Sequence, residues 1–115
     1  MARYWLTPPE LEHLREGRFD PYPYPQGRGQ DALLDPWEKP WYANPPFHHI
    51  TKHVARAIEQ GGPGILVMPI GPANALILKA GLTMEYLGKI GWIDPNTGRR
   101  GGAVHTVAVR FPESE

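Results

Sequence analysis

The spacing of apolar residues predicts the elements in the middle of the chain. Apolar residues recur every three or four positions from Ile50 to Ile58, which predicts an amphipathic helix over 49–60. The uninterrupted apolar run at 65–68 is typical of a strand buried on both faces, and 41–43 reads as a shorter strand before the helix. Together they predict a βαβ unit, with the carboxyl ends of both strands at one edge of the sheet.

Turn and cap signals divide the rest of the chain. Thr7-Pro8-Pro9-Glu10 has the threonine, proline and glutamate of a capping box, which predicts a first helix ending at Gly17. The remaining predicted elements are a very short strand at Phe19, a loop at 27–30, a short helix at 74–80 and strands at 89–93 and 103–111. Because a turn signal at 94–98 separates the last two strands, we expect them to form an antiparallel hairpin.

Composition limits the classes of protein to consider. A length of 115 residues suits one core, so we expect residues 1–115 to form a single domain. Twelve basic residues balance twelve acidic ones, so contacts with nucleic acid would need local patches. The absence of cysteine excludes disulfides and thiolate chemistry, and neither a signal segment nor a bilayer-length apolar stretch is visible. We expect a cytoplasmic protein with no membrane partner.

The most informative motif is Asn44-Pro45-Pro46-Phe47, which follows the first predicted strand. Two prolines rigidify a turn that can present a side-chain carbonyl and a backbone carbonyl to one point, and two such acceptors can hold an exocyclic amine. The alternative interpretation is a strand end that happens to contain two prolines. The next predicted strand is followed by a loop at 69–72, and we expect this loop and the 44–47 loop to be neighbours.

Three motifs in order, Thr7-Pro8-Pro9, Asp20-Pro21 and Asn44 to Phe47, resemble those of the phage-type, Dam-like adenine-specific DNA methyltransferases. The resemblance covers nearly the whole chain, which would be a compact member of that family. It implies an α/β, reduced Rossmann-like methyltransferase fold with a mainly parallel sheet and a C-terminal antiparallel hairpin. It also implies methyl transfer from S-adenosyl-L-methionine to the exocyclic amine of adenine in DNA, in a bacterial, archaeal or phage-infected cell.

The resemblance also implies roles for individual residues. Asn44 and Pro45 would accept hydrogen bonds from the amino group of adenine, and Phe47 would stack on a base that has left the duplex. The implied catalytic residues are Asn44, Pro45, Pro46 and Phe47, and the implied cofactor-binding residues are Thr7, Pro8, Asp20, Pro21, Asp31 and Asn44. Asp20 would contact the methionine amino group and Asp31 would approach the adenosine. The glycine-rich signature of many methyltransferases is absent after Phe19, and both aspartates have turn-forming alternatives.

Several alternatives stay open. His49 and His53 lie one helical turn apart, but no cysteine or carboxylate completes a metal site, so we expect none. Arg99 and Arg100 either contact phosphates or are solvated. The chain could be a degenerate methyltransferase fold that binds DNA or a protein partner, or it could act on a cytosine or glutamine amine. A homodimer or a partner subunit would supply recognition surface that so short a chain lacks.

Overall fold

The structure, a computed structural model, describes residues 5–23 and 31–113. Within them one four-stranded sheet has the spatial order β1-β2-β4-β3. The strands are β1 (Trp41–Ala43), β2 (Gly64–Pro69), β3 (Met84–Ile90) and β4 (Val104–Phe111). β1 and β2 are parallel, whereas β4 is antiparallel to both β2 and β3.

The prediction of a Rossmann-like, mainly parallel sheet is wrong. Only the β1–β2 pair is parallel, and both pairs made by β4 are antiparallel. β4 inserts beside β2, with a register that runs from Gly64↔Phe111 to Pro69↔Thr106, instead of lengthening the sheet at its edge. Alternation along a strand shows which side chains share a face but not which strand is its neighbour. As local units, the βαβ segment and the terminal hairpin are confirmed.

One face of the sheet is covered by α2 (Ile50–Gln60) and α3 (Asn74–Lys79). The predicted helix at 49–60 is therefore confirmed, with His49 in the left-handed region at its start and Gly61 at its end. Its apolar stripe packs against β1, β2 and β4. The fully buried members of this core are Trp41, Ala43, Val54, Ala57, Leu66, Met68, Ile77 and Val109.

The opposite face carries the N-terminal segment, a 3₁₀ helix at Pro9–Leu11 followed by α1 (Glu12–Arg15). Leu11 and Leu14 are buried there with Tyr42 and Trp92. The predicted capping box is wrong, because neither helix start has a side-chain cap. The hydroxyl of Thr7 instead pairs with that of Tyr42, 2.9 Å away.

The third strand also differs from the prediction. We expected it at 89–93, but β3 spans Met84–Ile90. β3 is an edge strand, and most of its residues are exposed or half-buried, so it lacks the apolar run that marks a buried strand. The loop predicted at 27–30 lies outside the described residues.

A single parallel bridge joins Phe19 to Trp41 at the free edge of β1. The Phe19 N–H donates to the carbonyl of Pro40 at 2.9 Å, and the Tyr42 N–H donates to the carbonyl of Phe19 at 2.8 Å. The very short strand expected at Phe19 is thus present as one bridge. Because the bridge is parallel, the chain leaves the sheet at the same edge after Phe19 and after β1, which brings Asp20 towards Asn44.

Candidate active site

Three residues predicted for the site line one cavity, although they are far apart in the sequence. Thr7, Asp20 and Asn44 lie around a cavity of about 240 Å³ at the carboxyl end of β1. Its other lining residues are Trp5, Leu6, Glu12, Arg15, Tyr22 and Ile93. Glu12 and Arg15 form an ion pair of 3.0 Å, whereas the Asp20 carboxylate forms no ion pair with a described residue.

Asn44 contributes a fully buried polar atom without a partner among the described residues. The side chain is 9% exposed, and its Nδ2 donates to the main-chain carbonyl of Trp5 at 2.6 Å. Its Oδ1 is buried and has no hydrogen-bond partner among the described residues. A buried acceptor without a partner costs about 1–3 kcal/mol, so such atoms are rare unless a ligand uses them.

Asp20 is held in a defined orientation beside Asn44. Its Oδ1 accepts a hydrogen bond from the Tyr22 N–H at 2.8 Å, the turn geometry that was the alternative interpretation of this residue. No described residue donates to Oδ2. Burial raises the pKa of the Asp20 carboxyl above its ordinary value, so the charge there is poorly solvated. A positively charged amino group would relieve that cost.

Asp20 also lines a second cavity, of about 130 Å³, with Pro21 and Asp31. Asp31 is exposed and begins a turn, since its Oδ1 accepts from the Leu33 N–H at 2.9 Å. Of the predicted cofactor-binding residues, Pro8 alone lines neither cavity; its ring is fully buried in the fold. Asp20 is the lining residue that these two cavities have in common.

The prolines and the aromatic residue of the 44–47 loop are packed rather than open. Pro45 is fully buried and Pro46 is buried, so the rings hold the loop against the domain. Phe47 is half-buried, and its ring meets the Trp92 ring edge to face with centroids 6.1 Å apart. A base could stack on Phe47 only on the part of the ring that Trp92 leaves exposed.

We expected the loops after β1 and β2 to be neighbours, but no residue of the loop after β2 lines the cavity of Asn44. Pro69 and Ile70 line a separate, more open cavity of about 490 Å³ with Lys89 and His105. The 69–72 loop therefore supplies no side chain to the cavity of Asn44.

The histidines near the loop have individual environments. His48 and His49 are exposed, with ring centroids 3.9 Å apart. Nδ1 of His53 lies 2.8 Å from the hydroxyl of Tyr22, and the two form a hydrogen bond. The pKa of His53 is lowered mainly by burial, and also by the charges of His49 and Lys52. Among residues 5–23 and 31–113, no three histidines and carboxylates are grouped as metal ligands.

Sequence reasoning missed the residues that complete the site. Tyr42 is fully buried and its hydroxyl meets that of Thr7, and burial is the main cause of its raised pKa. Tyr42 and Asn44 are two residues apart on and just after a strand, and this spacing places them on the same face. This alternation of faces along a strand is the sequence signal that could have placed Tyr42 beside the site. No sequence pattern marks the carbonyl of Trp5, which contacts Asn44 from 39 positions away.

No protein-family profile, curated protein or solved structure matches this chain significantly. The resemblance to adenine methyltransferases thus rests on the three sequence motifs alone. In the part of the chain that the structure describes, no helix is long and apolar enough to span a bilayer.

Proposed function

We propose that this chain transfers a methyl group from S-adenosyl-L-methionine to an exocyclic amine, with adenine in DNA as the expected acceptor. The observation that carries the proposal is the meeting of Thr7, Asp20 and Asn44 around one cavity. The motifs implied that these residues act together, and the fold brings them together by a bridge at Phe19 that no motif contains.

The polar groups of the two cavities fit the cofactor. Each cavity is smaller than the roughly 300–1,000 Å³ of ligand pockets, so S-adenosyl-L-methionine would extend past Asp20 into both. Asp20 would hold the amino group of the methionine part, and Asp31 would lie on the adenosine side. When bound, S-adenosyl-L-methionine supplies the methyl group as an electrophile.

The protein's own part in the reaction is positioning. Asn44 Oδ1 would accept a hydrogen bond from the acceptor amine and turn the nitrogen lone pair towards the cofactor side of the cavity. The new nitrogen–carbon bond would form as the methyl–sulfur bond breaks, leaving a neutral thioether, and the amine proton would pass to solvent. Asn44 Oδ1 would favour the polarised amine of the transition state. Pro45 and Pro46 would keep the loop rigid, because both are buried.

The exposed side chains beside the 44–47 loop are the feature that favours DNA as the partner. His48, His49 and Lys52 are exposed where the 44–47 loop meets the start of α2, and Lys52 forms no ion pair with a described residue. A phosphate contact at the start of a helix also gains from the helix dipole. Arg100 is less suited to this role, since both terminal nitrogens of its guanidinium bind the carboxylate of Glu10 at 2.6 and 2.7 Å.

The second candidate function is a reduced methyltransferase-like protein that binds an amine-bearing partner without transfer. The burial of Asn44 Oδ1 and the packing of Phe47 on Trp92 favour it, because both restrict the entry of a base. Under this alternative, the acceptors of the cavity would still select an amino group.

Transfer of tritium-labelled methyl groups to oligonucleotides tests the two functions. We expect incorporation into a duplex with an extrahelical adenine, and none into the same duplex with guanine at that position. Asn44→Ala should lose incorporation, whereas Asn74→Ala should keep it, because the Asn74 side chain accepts the Gly71 N–H at 3.1 Å and does not line the cavity. Binding of the oligonucleotide without incorporation would favour the second function.

A further inference from the structure

The orientation of the Asn44 side chain is fixed from outside its own loop. An asparagine amide can be rotated so that its oxygen and its nitrogen exchange places. Only one of the two orientations of Asn44 leaves the oxygen without a hydrogen-bond partner. The donor Nδ2 lies 2.6 Å from the Trp5 carbonyl, which can only accept, so Oδ1 is the atom left without a partner among the described residues. The Trp5 carbonyl therefore decides which atom Asn44 offers to a ligand.

The segment that contains Trp5 is tied down over its length. We call residues Trp5–Glu10 the N-terminal strap. The main chains of Leu6 and Ile93 exchange hydrogen bonds of 2.8 and 3.2 Å, and the hydroxyls of Thr7 and Tyr42 meet at 2.9 Å. These contacts hold the strap on the segment that follows β3 and on β1.

The strap has two further contacts with the 99–102 segment of the hairpin loop. The carboxylate of Glu10 binds the guanidinium of Arg100, 90 positions away, through two hydrogen bonds. The ring of Trp5 lies over Gly101, where an added Cβ would come within 2.9 Å of two ring carbons. Position 102 is open, because an added Cβ there meets no atom within 4 Å.

We infer that the N-terminal strap is the positioning element of the site, with the Trp5 carbonyl orienting Asn44 so that Oδ1 faces the acceptor amine. This inference rests on the proposed function for the identity of the amine, but the orientation itself does not. It also assigns a role to the hairpin loop. Arg100 and Gly101 do not line the cavity, yet they contact the strap whose Trp5 carbonyl orients Asn44.

The test uses two neighbouring glycines as a matched pair. Gly101→Val pushes against the Trp5 ring, whereas Gly102→Val adds the same side chain in open space. NMR measures how fast the Asn44 side-chain NH₂ protons exchange with water, and the main-chain amides of β2 and β4 report on the fold. We expect exchange of the Asn44 protons to become about tenfold faster in Gly101→Val, the equivalent of a lost hydrogen bond. In Gly102→Val it should stay as in the wild type, and the strand amides should stay protected in both.

Two results would overturn the inference. One is unchanged exchange at Asn44 in Gly101→Val although the Trp5 resonances have moved. The other is faster exchange at Asn44 with no fall in the rate of methyl transfer. If Gly101→Val does not fold, Arg100→Ala replaces it with Arg99→Ala as its control, and the same shift in exchange is expected. A wild-type protein without transfer activity would contradict the proposed function, while the exchange result would still decide whether the strap orients Asn44.

Discussion

Removing the Asn44 side chain should separate stability from activity. In Asn44→Ala, the Trp5 carbonyl loses its donor, which costs about 1 kcal/mol, and the lost packing costs about 1 kcal/mol more. The change also removes the buried, unpartnered Oδ1, whose desolvation costs about 1–3 kcal/mol in the wild type. These terms oppose each other, so we expect the free energy of unfolding to stay within about 1 kcal/mol of the wild type.

The same substitution should strongly impair transfer. Deleting one preorganised hydrogen-bonding group from an active site typically costs a factor of about 10²–10³ in rate. The assay therefore has two parts: urea unfolding followed by tryptophan fluorescence, and methyl incorporation at saturating cofactor. A loss of about 3 kcal/mol or more in the free energy of unfolding would refute this reasoning. It would mean that Asn44 holds the fold together and that the unpaired Oδ1 is a minor feature.

Three further predictions concern other parts of the molecule. Phe47→Leu, which keeps much of the volume packed on Trp92, should weaken binding of DNA with an extrahelical adenine more than binding of S-adenosyl-L-methionine; equal losses by calorimetry would count against base stacking. Burial raises the pKa of Asp20, so the folded protein favours the protonated carboxyl. The stability that this preference gives is present below the unfolded pKa and is lost as pH rises through the folded pKa. Asp20→Asn should therefore gain thermal stability over the wild type at pH 7 but not at pH 3, and an equal effect at both pH values would be inconsistent with a buried charge. Gly64→Ala should destabilise the protein by about 3 kcal/mol or more in urea unfolding, because its Cβ would lie 2.1 Å from the Trp41 ring; a change as small as that of Gly71→Ala, where an added Cβ is free of contacts, would contradict the packing described here.

Local patterns predicted the elements whose stability depends on nearby residues. The apolar stripe of α2 marked the helix to within one residue, and the continuous apolar run marked β2. β3 was misplaced, because an exposed edge strand such as Met84–Ile90 has no strong apolar period. The neighbours of β4 could not be predicted, since pairing of Leu66 with Val109 depends on packing across the domain.

In the candidate site, too, local motifs were predictable and contacts between distant segments were not. The motifs singled out Thr7, Asp20 and Asn44, but Thr7 was read as a helix cap although its hydroxyl pairs with Tyr42. Local sequence offers a cap as the nearest partner for a threonine before prolines, while the fold offers a buried phenol from β1. The Asn44 side chain contacts the main-chain carbonyl of Trp5, and this contact follows from the path of the strap. No pattern of side chains in the sequence could therefore predict it.

Calorimetric titration with S-adenosyl-L-methionine tests most directly whether the cavities around Asp20 hold the methyl donor. The wild type would be compared with Asp20→Asn and with Asp94→Asn, since both aspartates accept a main-chain N–H two residues ahead at 2.8 Å. Asparagine can keep that turn but removes the charge, so the pair isolates the carboxylate of the cavity. We predict saturable binding by the wild type and Asp94→Asn, with a large loss of affinity in Asp20→Asn. Absence of binding by the folded wild type, or equal binding by all three proteins, would contradict the proposed role of Asp20.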